Sequence, residues 1–294
     1  IPEPFGPTVL SLLATVLYKQ KVGYATTLLA VSLLAILPDV AATATFAWFA
    51  IGMVTVISVR RIQKRSQFYQ TILLLTALSM ALVFLIGETS PPVGQPWATP
   101  YLVGLFTPGL VVAFGLFLLP VIEPLVGVCS DLTLLELSDL NHPLLQRMAL
   151  EAQGTYHHSQ VVGQLAEHAA RAVDANALLT RVGAFYHDIG KTMRPHFFTE
   201  NQIESLNPHD RLDPYTSAEI IRSHVLDGLE LAKRHHLPSQ VRAFISEHHG
   251  DGLVSFFYRQ AVEAAGGDAS KVDKHLFRYV GPKPQSRETA LLML

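Results

Sequence analysis

Residues 181–191 read R-V-G-A-F-Y-H-D-I-G-K. Apolar residues recur at helical spacing up to this run and through its first part, which predicts a helix with one buried side. That helix is expected to end in two adjacent side chains, His187 and Asp188. An imidazole beside a carboxylate at the edge of an apolar core is a candidate metal-binding pair.

Three other predicted helices also carry histidines on apolar faces. His158 precedes apolar residues at positions i+3, i+4 and i+7, whereas His157 is turned about 100° away from that face. His224 lies within a similar pattern, and His248, bordered by His249, continues another. One such histidine is ordinarily a core imidazole bonded to a carbonyl. Five of them with a carboxylate are satisfied more readily by metal coordination.

Two adjacent pairs, His187-Asp188 and His248-His249, indicate two metal ions rather than one. Neighbours on a helix point about 100° apart, which suits two ions about 3.5–4 Å apart that Asp188 can bridge. Two metal ions at this separation favour hydrolysis of a phosphate ester, with Asp188 as a catalytic residue. Lys191, one turn after His187, is a second catalytic candidate that could hold a phosphate oxygen. A solvated lysine at a helix end is the alternative.

The composition separates the chain into two unlike parts. Residues 1–118 contain six Lys/Arg and three Asp/Glu, whereas residues 119–294 contain sixteen and twenty-one. All thirteen histidines lie between His142 and His275. The chain has no surplus of basic residues that would indicate a nucleic-acid polymer as a partner. The single Cys129 excludes an internal disulfide.

Apolar segments dominate the first part, at about 5–18, 22–38, 41–59, 69–87 and 100–122. Four approach the ~20 residues that cross a ~30 Å hydrocarbon core, so we predict a multi-pass part in the lipid bilayer of the cell membrane. Lys and Arg occupy alternate loops, at 19–21 and 60–65, which places those loops and the chain after 123 in the cytoplasm. Asp39, after Pro38, is expected in a turn rather than as an intramembrane charge.

We therefore predict an all-α chain: about five transmembrane helices in 1–122, a connector in 123–150 and a helical domain in 151–294. Pro120, Glu123 and Pro124 are expected to end the last membrane segment. The chain begins Ile-Pro-Glu-Pro and ends in an apolar run, and we expect it to be a fragment at both ends.

Several runs resemble one family, the membrane-bound seven-helix HD phosphodiesterases. They are L-L-E-L-S-D-L-N-H-P-L-L (134–145), G-T-Y-H-H-S (154–159), R-V-G-A-F-Y-H-D-I-G-K (181–191), F-F-T-E-N-Q (197–202), N-P-H-D (207–210) and G-P-K-P-Q-S-R-E (281–288). That family hydrolyses cyclic di-AMP, so the resemblance implies a membrane-anchored cyclic di-AMP phosphodiesterase, regulated through its membrane or external part. It also implies two divalent transition-metal ions, manganese or iron, as cofactors, and leaves self-association open.

The family's metal ligands map residue by residue onto this chain. Six positions match: His158, His187, Asp188, His224, His248 and His249. A seventh ligand, an aspartate, is expected beyond residue 294. The candidate substrate contacts are Tyr156, Lys191, Arg194 and Asn201. Aromatic side chains at positions such as Tyr156, Phe197, Phe198 and Tyr258 more often belong to a core, and Asn201 could instead cap a helix.

Three alternatives stay open. HD enzymes that act on cyclic di-GMP follow the histidine pair with Gly-Tyr-Pro, whereas G-D-G-L-V stands at 250–254 here. Stringent-response hydrolases carry acidic residues where Lys191 and Thr192 stand. A degenerate HD domain could sense a nucleotide without hydrolysing it, although all six observable ligands are intact.

The distribution of Lys and Arg predicts the topology of the membrane part. A reporter fused after Glu123 should be cytoplasmic, and tags inserted between residues 89 and 99 should react with impermeant reagents from outside. A tag in the loop at 60–65 is the control and should stay protected in intact cells. External labelling of that loop would contradict the topology.

Overall fold

The computed structural model describes residues 5–38, 40–60, 66–89, 96, 98–202 and 207–293. The chain divides into two compact units, Ile1–Leu132 and Thr133–Leu294, here called the N-terminal and the C-terminal unit. Within the described ranges there is no β-strand, only an isolated antiparallel bridge between Leu253 and Arg278. The all-helical fold predicted from the sequence is confirmed.

Five apolar helices form the N-terminal unit: α1 (Phe5–Tyr18), α2 (Gln20–Ala35), α3 (Ala42–Val59), α4 (Ser66–Thr89) and α5 (Thr99–Val126). Among the described residues, three segments are long and apolar enough to cross a membrane: Ala42–Val59, Ser66–Ile86 and Thr99–Val126. Helix α2 contains only 16 residues, and the predicted number of membrane-spanning helices stays a prediction. Asp39 and most of the basic loop, 61–65, lie outside the described residues.

The helices of the N-terminal unit pack through a shared apolar core and leave other large apolar side chains exposed. Leu12, Leu75 and Val111 are almost completely buried, whereas Leu73 and Phe117 are exposed. Large exposed apolar side chains are costly in water but suit contact with lipid. This arrangement fits a membrane protein.

The prolines predicted to end the last membrane segment, Pro120 and Pro124, do not end its helix. Helix α5 contains Pro120 and Pro124 and continues to Val126, where Gly127 ends it in a left-handed conformation with φ 67°. A proline inside a helix removes one backbone hydrogen bond, and membrane helices tolerate that loss when neighbours or local adjustment compensate. These two prolines are therefore a weaker indication of a helix end than expected.

The C-terminal unit is a bundle of shorter helices and 3₁₀ turns. Its helices are α6 (Asp131–Leu137), whose first two residues precede the unit, α7 (Pro143–Glu151), α8 (Gln153–Ala172), α9 (Ala177–Tyr186), α10 (Pro214–Arg234), α11 (Ser239–Glu247), α12 (Ser255–Ala264) and α13 (Arg287–Met293). Side-chain caps fix the starts of α9 and α10. The Asn176 side chain accepts from the Leu179 amide, and the Asp213 side chain accepts from the amides of Tyr215 and Thr216. Such caps satisfy amides that lack helical partners.

Helix α9 and the turn after it lie at the centre of the C-terminal unit. Val182, Ala184 and Ile189 are buried, and α9 packs against both α8 and α11. A 3₁₀ turn, Ile189–Met193, follows α9 and packs against α10. Gly190 makes this contact possible, since a Cβ there would lie 1.8 Å from the carbonyl oxygen of His224. The glycine in the H-D-I-G-K run is thus required by backbone packing.

The close approach at Gly190 predicts a local loss of stability in Gly190→Ala. The added methyl meets fixed backbone atoms of α10, so the turn and α10 must separate, at a cost of about 1–3 kcal/mol. Hydrogen exchange in the detergent-solubilised chain should accelerate at Ile189–Met193 and along α10. The matched control is Gly163→Ala, whose methyl meets only the side-chain ring of Phe185 at its closest approach. Equal protection of α10 in both variants would contradict this packing argument.

Candidate metal centre

The structure brings together all six side chains predicted as metal ligands. They are supplied by α8 (His158), by the end of α9 (His187 and Asp188), by α10 (His224) and by the end of α11 (His248 and His249). The six residues form two groups that share Asp188. Donor atoms of Asp188, His224, His248 and His249 lie within 4.8 Å of one another, and so do those of His158, His187 and Asp188. The predicted non-ligand His157 is in neither group.

Backbone carbonyls fix the orientation of three imidazoles. Nδ1 of His187 lies 2.7 Å from the Ala184 oxygen, and Nδ1 of His224 lies 2.5 Å from the Ile221 oxygen. Nδ1 of His248 lies 3.0 and 3.1 Å from two carbonyl oxygens of the preceding turn. A carbonyl can only accept, so each Nδ1 carries the proton and each Nε2 presents a lone pair to the cluster.

The lone pairs of these imidazoles face one another and the carboxylate of Asp188. Nε2 of His224 lies 3.2 Å from Nε2 of His248, although neither atom can donate in this tautomer. Oδ1 of Asp188 lies 3.3 Å from the former and 3.5 Å from the latter, and it is buried without a hydrogen-bond donor. These three acceptor atoms have no donor between them, so a cation is needed to hold them together. The residues present therefore fit two divalent metal ions that share Asp188.

The protonation states of the cluster agree with this fit. Burial is the main cause that lowers the pKa of His224 to about 4. Burial, followed by the neighbouring imidazoles, lowers the pKa of His249 to about 2. Burial alone would raise the pKa of Asp188, but His187 and Lys191 outweigh it and hold that pKa well below its usual range. His224 and His249 are thus neutral and the carboxylate of Asp188 is ionised, as metal ligands must be.

The prediction that His158 lies on the buried face of α8 is wrong. Its side chain is exposed, as are those of Val161 and Leu165, yet its ring lies 5.7 Å from that of His187. Helix α8 packs instead through small residues, namely Thr155, Ser159, Gly163, Ala166 and Ala170. His158 therefore reaches the cluster from its solvent-facing rim, which leaves an accessible side.

Lys191 is held beside the cluster by two carboxylates. Its ammonium lies 2.9 Å from Oδ2 of Asp188 and 2.7 Å from Oε1 of Glu200, and 5.1 Å from the centre of the Phe198 ring. Burial alone would lower the pKa of Lys191, but the two carboxylates outweigh it and raise that pKa. The alternative of a freely solvated lysine is therefore wrong, because this cation is fixed at the rim of the candidate site.

Asn201, a candidate substrate contact, already uses both ends of its amide. Its Oδ1 accepts from the Thr155 amide at 3.0 Å, and its Nδ2 donates to the Thr155 hydroxyl at 2.9 Å. Gly154 permits this close approach, since a Cβ there would lie 1.8 Å from the Glu200 carbonyl oxygen. This geometry favours the alternative in which Asn201 holds the start of α8.

The other predicted substrate contacts are less closely tied to the cluster. Tyr156 is half-buried on α8 beside Thr155, and Arg194 is exposed just beyond the 3₁₀ turn that carries Lys191. Phe197 packs on His209, and Tyr258 on Phe277, as expected for core aromatics. Tyr156 and Arg194 therefore remain candidates on position alone.

Sequence reasoning missed two residues that contact the predicted site. Glu200 accepts from both Lys191 and the Thr155 hydroxyl. Tyr279 stacks on His249 with ring centres 4.1 Å apart and planes 15° apart. Glu200 lies in a short 3₁₀ turn, Thr199–Asn201, and Tyr279 lies outside the helices, so α-helical periodicity gives no signal for either residue. Only their presence in or near the family-like runs at 197–202 and 281–288 could have indicated them.

Comparisons with known proteins match both units of the chain. An HD-domain family model matches residues 155–293, and the model described as 7TM receptor with intracellular HD hydrolase matches residues 6–130. The chain is 36% identical to cyclic-di-AMP phosphodiesterase PgpH of Listeria monocytogenes over 99% of its own length and 40% of that protein. It is 42% identical to the Bacillus subtilis PgpH over 78% of its length and 32% of that protein.

A solved structure extends the likeness to the fold of the C-terminal unit. The crystal structure of the L. monocytogenes PgpH HD domain in complex with cyclic di-AMP matches with a TM-score of 0.50 and 48% sequence identity. The match covers 53% of this chain and 71% of that one. The chain spans less than half the length of the curated relatives named above. On these matches, the chain belongs to the family of PgpH-type HD-domain membrane proteins.

Proposed function

We propose that this chain is the membrane-anchored catalytic part of a two-metal phosphodiesterase that hydrolyses cyclic di-AMP. The observation that carries the proposal is the inward-facing acceptor cluster around Asp188, in which the Nε2 atoms of His224 and His248 lie 3.2 Å apart. A pocket built for binding a nucleotide alone gains nothing from facing lone pairs, because they repel one another without a cation. The degenerate, non-catalytic alternative therefore has less support.

The residues divide the work of hydrolysis between them. His158, His187, Asp188, His224, His248 and His249 would hold the ions. Bound divalent ions supply an activated water at neutral pH and neutralise charge that develops on phosphoryl oxygens. Asp188, with one oxygen toward each group of donors, fixes the spacing between the two positions. The exposed rim at His158 leaves a path for a phosphodiester to enter.

Lys191 would bind the phosphate that is being cleaved. Its ammonium makes two ion pairs, with Asp188 and Glu200, and an ammonium has three protons to donate. One proton is therefore left for a non-bridging phosphate oxygen. Glu200 and Phe198 keep the ammonium at the rim, which spares it the entropic cost of becoming fixed when substrate binds.

Two observations support cyclic di-AMP as the substrate over cyclic di-GMP. The sequence after His249 is G-D-G-L-V, not the Gly-Tyr-Pro segment of the enzymes that act on cyclic di-GMP. The relatives that match most of this chain are named cyclic-di-AMP phosphodiesterases, and a related HD domain crystallised with that nucleotide. The catalytic unit would then face the cytoplasm, and the distribution of Lys and Arg among the loops supports that side.

The ligand assignment predicts opposite results for neighbouring histidines. Asp188→Ala and His187→Ala should lose nearly all bound manganese, measured by elemental analysis after dialysis, and hydrolysis should fall by more than about 100-fold. His158→Ala should weaken one metal position. His157→Ala is the matched control, an exposed neighbour on the same helix outside the cluster, and it should keep both metal and activity.

His235→Ala is a second control, because His235 follows α10 and is also outside the donor groups. It tests whether loss of a histidine from this unit is by itself enough to release metal. Loss of metal in His157→Ala with retention in His158→Ala would reverse the assignment on α8.

The substrate class is tested by direct competition. The manganese-loaded protein, extended beyond residue 294, should hydrolyse cyclic di-AMP faster than cyclic di-GMP or guanosine tetraphosphate, with products separated by chromatography. The Lys191→Ala variant should retain metal but lose turnover, since its role is to bind phosphate. Faster hydrolysis of cyclic di-GMP would refute the substrate assignment. Binding of cyclic di-AMP without any hydrolysis would favour the sensing alternative.

A further inference from the structure

The imidazoles of the cluster are not held in the same way. The rings of His187, His224 and His248 are each tied to a carbonyl of the preceding helical turn. Among the described residues, no such hydrogen bond fixes a ring nitrogen of His249. Metal-binding histidines nearly always have a partner that fixes the ring and its tautomer. His249 must therefore be oriented by another kind of contact.

Tyr279 provides that contact through its ring. The His249 and Tyr279 rings are nearly parallel, 15° apart, with centres separated by 4.1 Å. The ring of His248 lies on another side of His249, also at 4.1 Å but tilted by 45°. The ring of His224 meets His249 edge-on at 5.2 Å. The plane of His249 is thus set by neighbouring rings, and Tyr279 is the one outside the metal-binding set.

The backbone holds Tyr279 rigidly against the segment that follows the histidine pair. The Gly252 amide donates to the His249 carbonyl at 2.9 Å, and the Tyr279 amide donates to the Gly252 carbonyl at 2.9 Å. Leu253 and Arg278 form the isolated β-bridge of the described chain, and the Arg278 guanidinium donates to the Asp251 carbonyl at 2.7 Å. His249 and Tyr279 are therefore linked by one short network although they are 30 residues apart.

We infer that Tyr279 is a positioning residue for the metal centre, which orients His249 by ring stacking in place of a hydrogen bond. Its action is on the group of Asp188, His224, His248 and His249, not on the group of His158, His187 and Asp188. A planar ring is required at position 279, whereas the hydroxyl is not. This inference rests on the proposed two-metal centre and concerns how one of its ligands is held.

The test measures metal affinity rather than turnover. The protein, extended beyond residue 294 to include the expected seventh ligand and solubilised in detergent, is stripped with a chelator and titrated with Mn²⁺ against a fluorescent chelator, and its helicity is checked by circular dichroism. Tyr279→Leu should weaken one of two manganese positions by about 10–100-fold, the effect typical of residues that orient ligands. Tyr279→Phe should bind both ions as the unchanged chain does. Tyr279→Met is the second variant if Tyr279→Leu does not fold.

Tyr258→Leu is the matched control, since Tyr258 packs on Phe277 in the same part of the unit but contacts no residue of the cluster. It should leave both affinities unchanged. Unaltered manganese binding in Tyr279→Leu and Tyr279→Met would overturn the inference, as would an equal loss in Tyr279→Phe. If the unchanged chain binds no pair of manganese ions, the proposed metal centre itself fails, and the inference fails with it.

Discussion

The buried carboxylate of Asp188 is the constraint on which the C-terminal unit depends. A buried ionised carboxylate is costly unless opposite charge and hydrogen bonds compensate for lost water. Lys191 satisfies one side of Asp188, but its other oxygen, Oδ1, faces only imidazole nitrogens that carry lone pairs. The surrounding helices form a frame that holds these acceptor atoms close together, so that cations can bind between them.

The frame is made largely of helix ends. His187 and His248 each occupy the position that closes a helix, α9 and α11, and their rings bond back to carbonyls of the final turn. The C-terminal end of a helix carries a partial negative charge, which favours a nearby cation. Two helices therefore contribute to the electrostatics of the candidate site as well as to its geometry. Gly190 lets the following turn pack against α10, which supplies His224.

Periodicity predicted those parts of the site that regular helices carry. The end of α9 at His187, and the positions of His224 and His248 within apolar patterns, followed from apolar spacing. His158 was placed correctly in the cluster by family resemblance, but not by burial, because α8 packs through Ser159, Ala166 and other small residues that a hydropathy pattern does not reveal. Glu200 and Tyr279 could not be predicted, since they reach the site through tertiary contacts from outside the α-helices. The prolines inside α5 likewise do not end that helix, which continues to Val126.

The charges that surround the proposed ions explain why a phosphodiester suits this site. The five imidazoles contribute no charge, Asp188 and Glu200 contribute one negative charge each, and Lys191 returns one positive charge. Neither this single net negative charge nor the added charge of the expected seventh ligand, an aspartate, neutralises two divalent ions, so the loaded centre would remain positive. Because the excess lies at a half-open rim, an anionic phosphodiester can approach it, while the uncharged remainder of a nucleotide gains nothing from it. Discrimination between bases must then come from side chains further from the ions, where Tyr156 and Arg194 remain candidates.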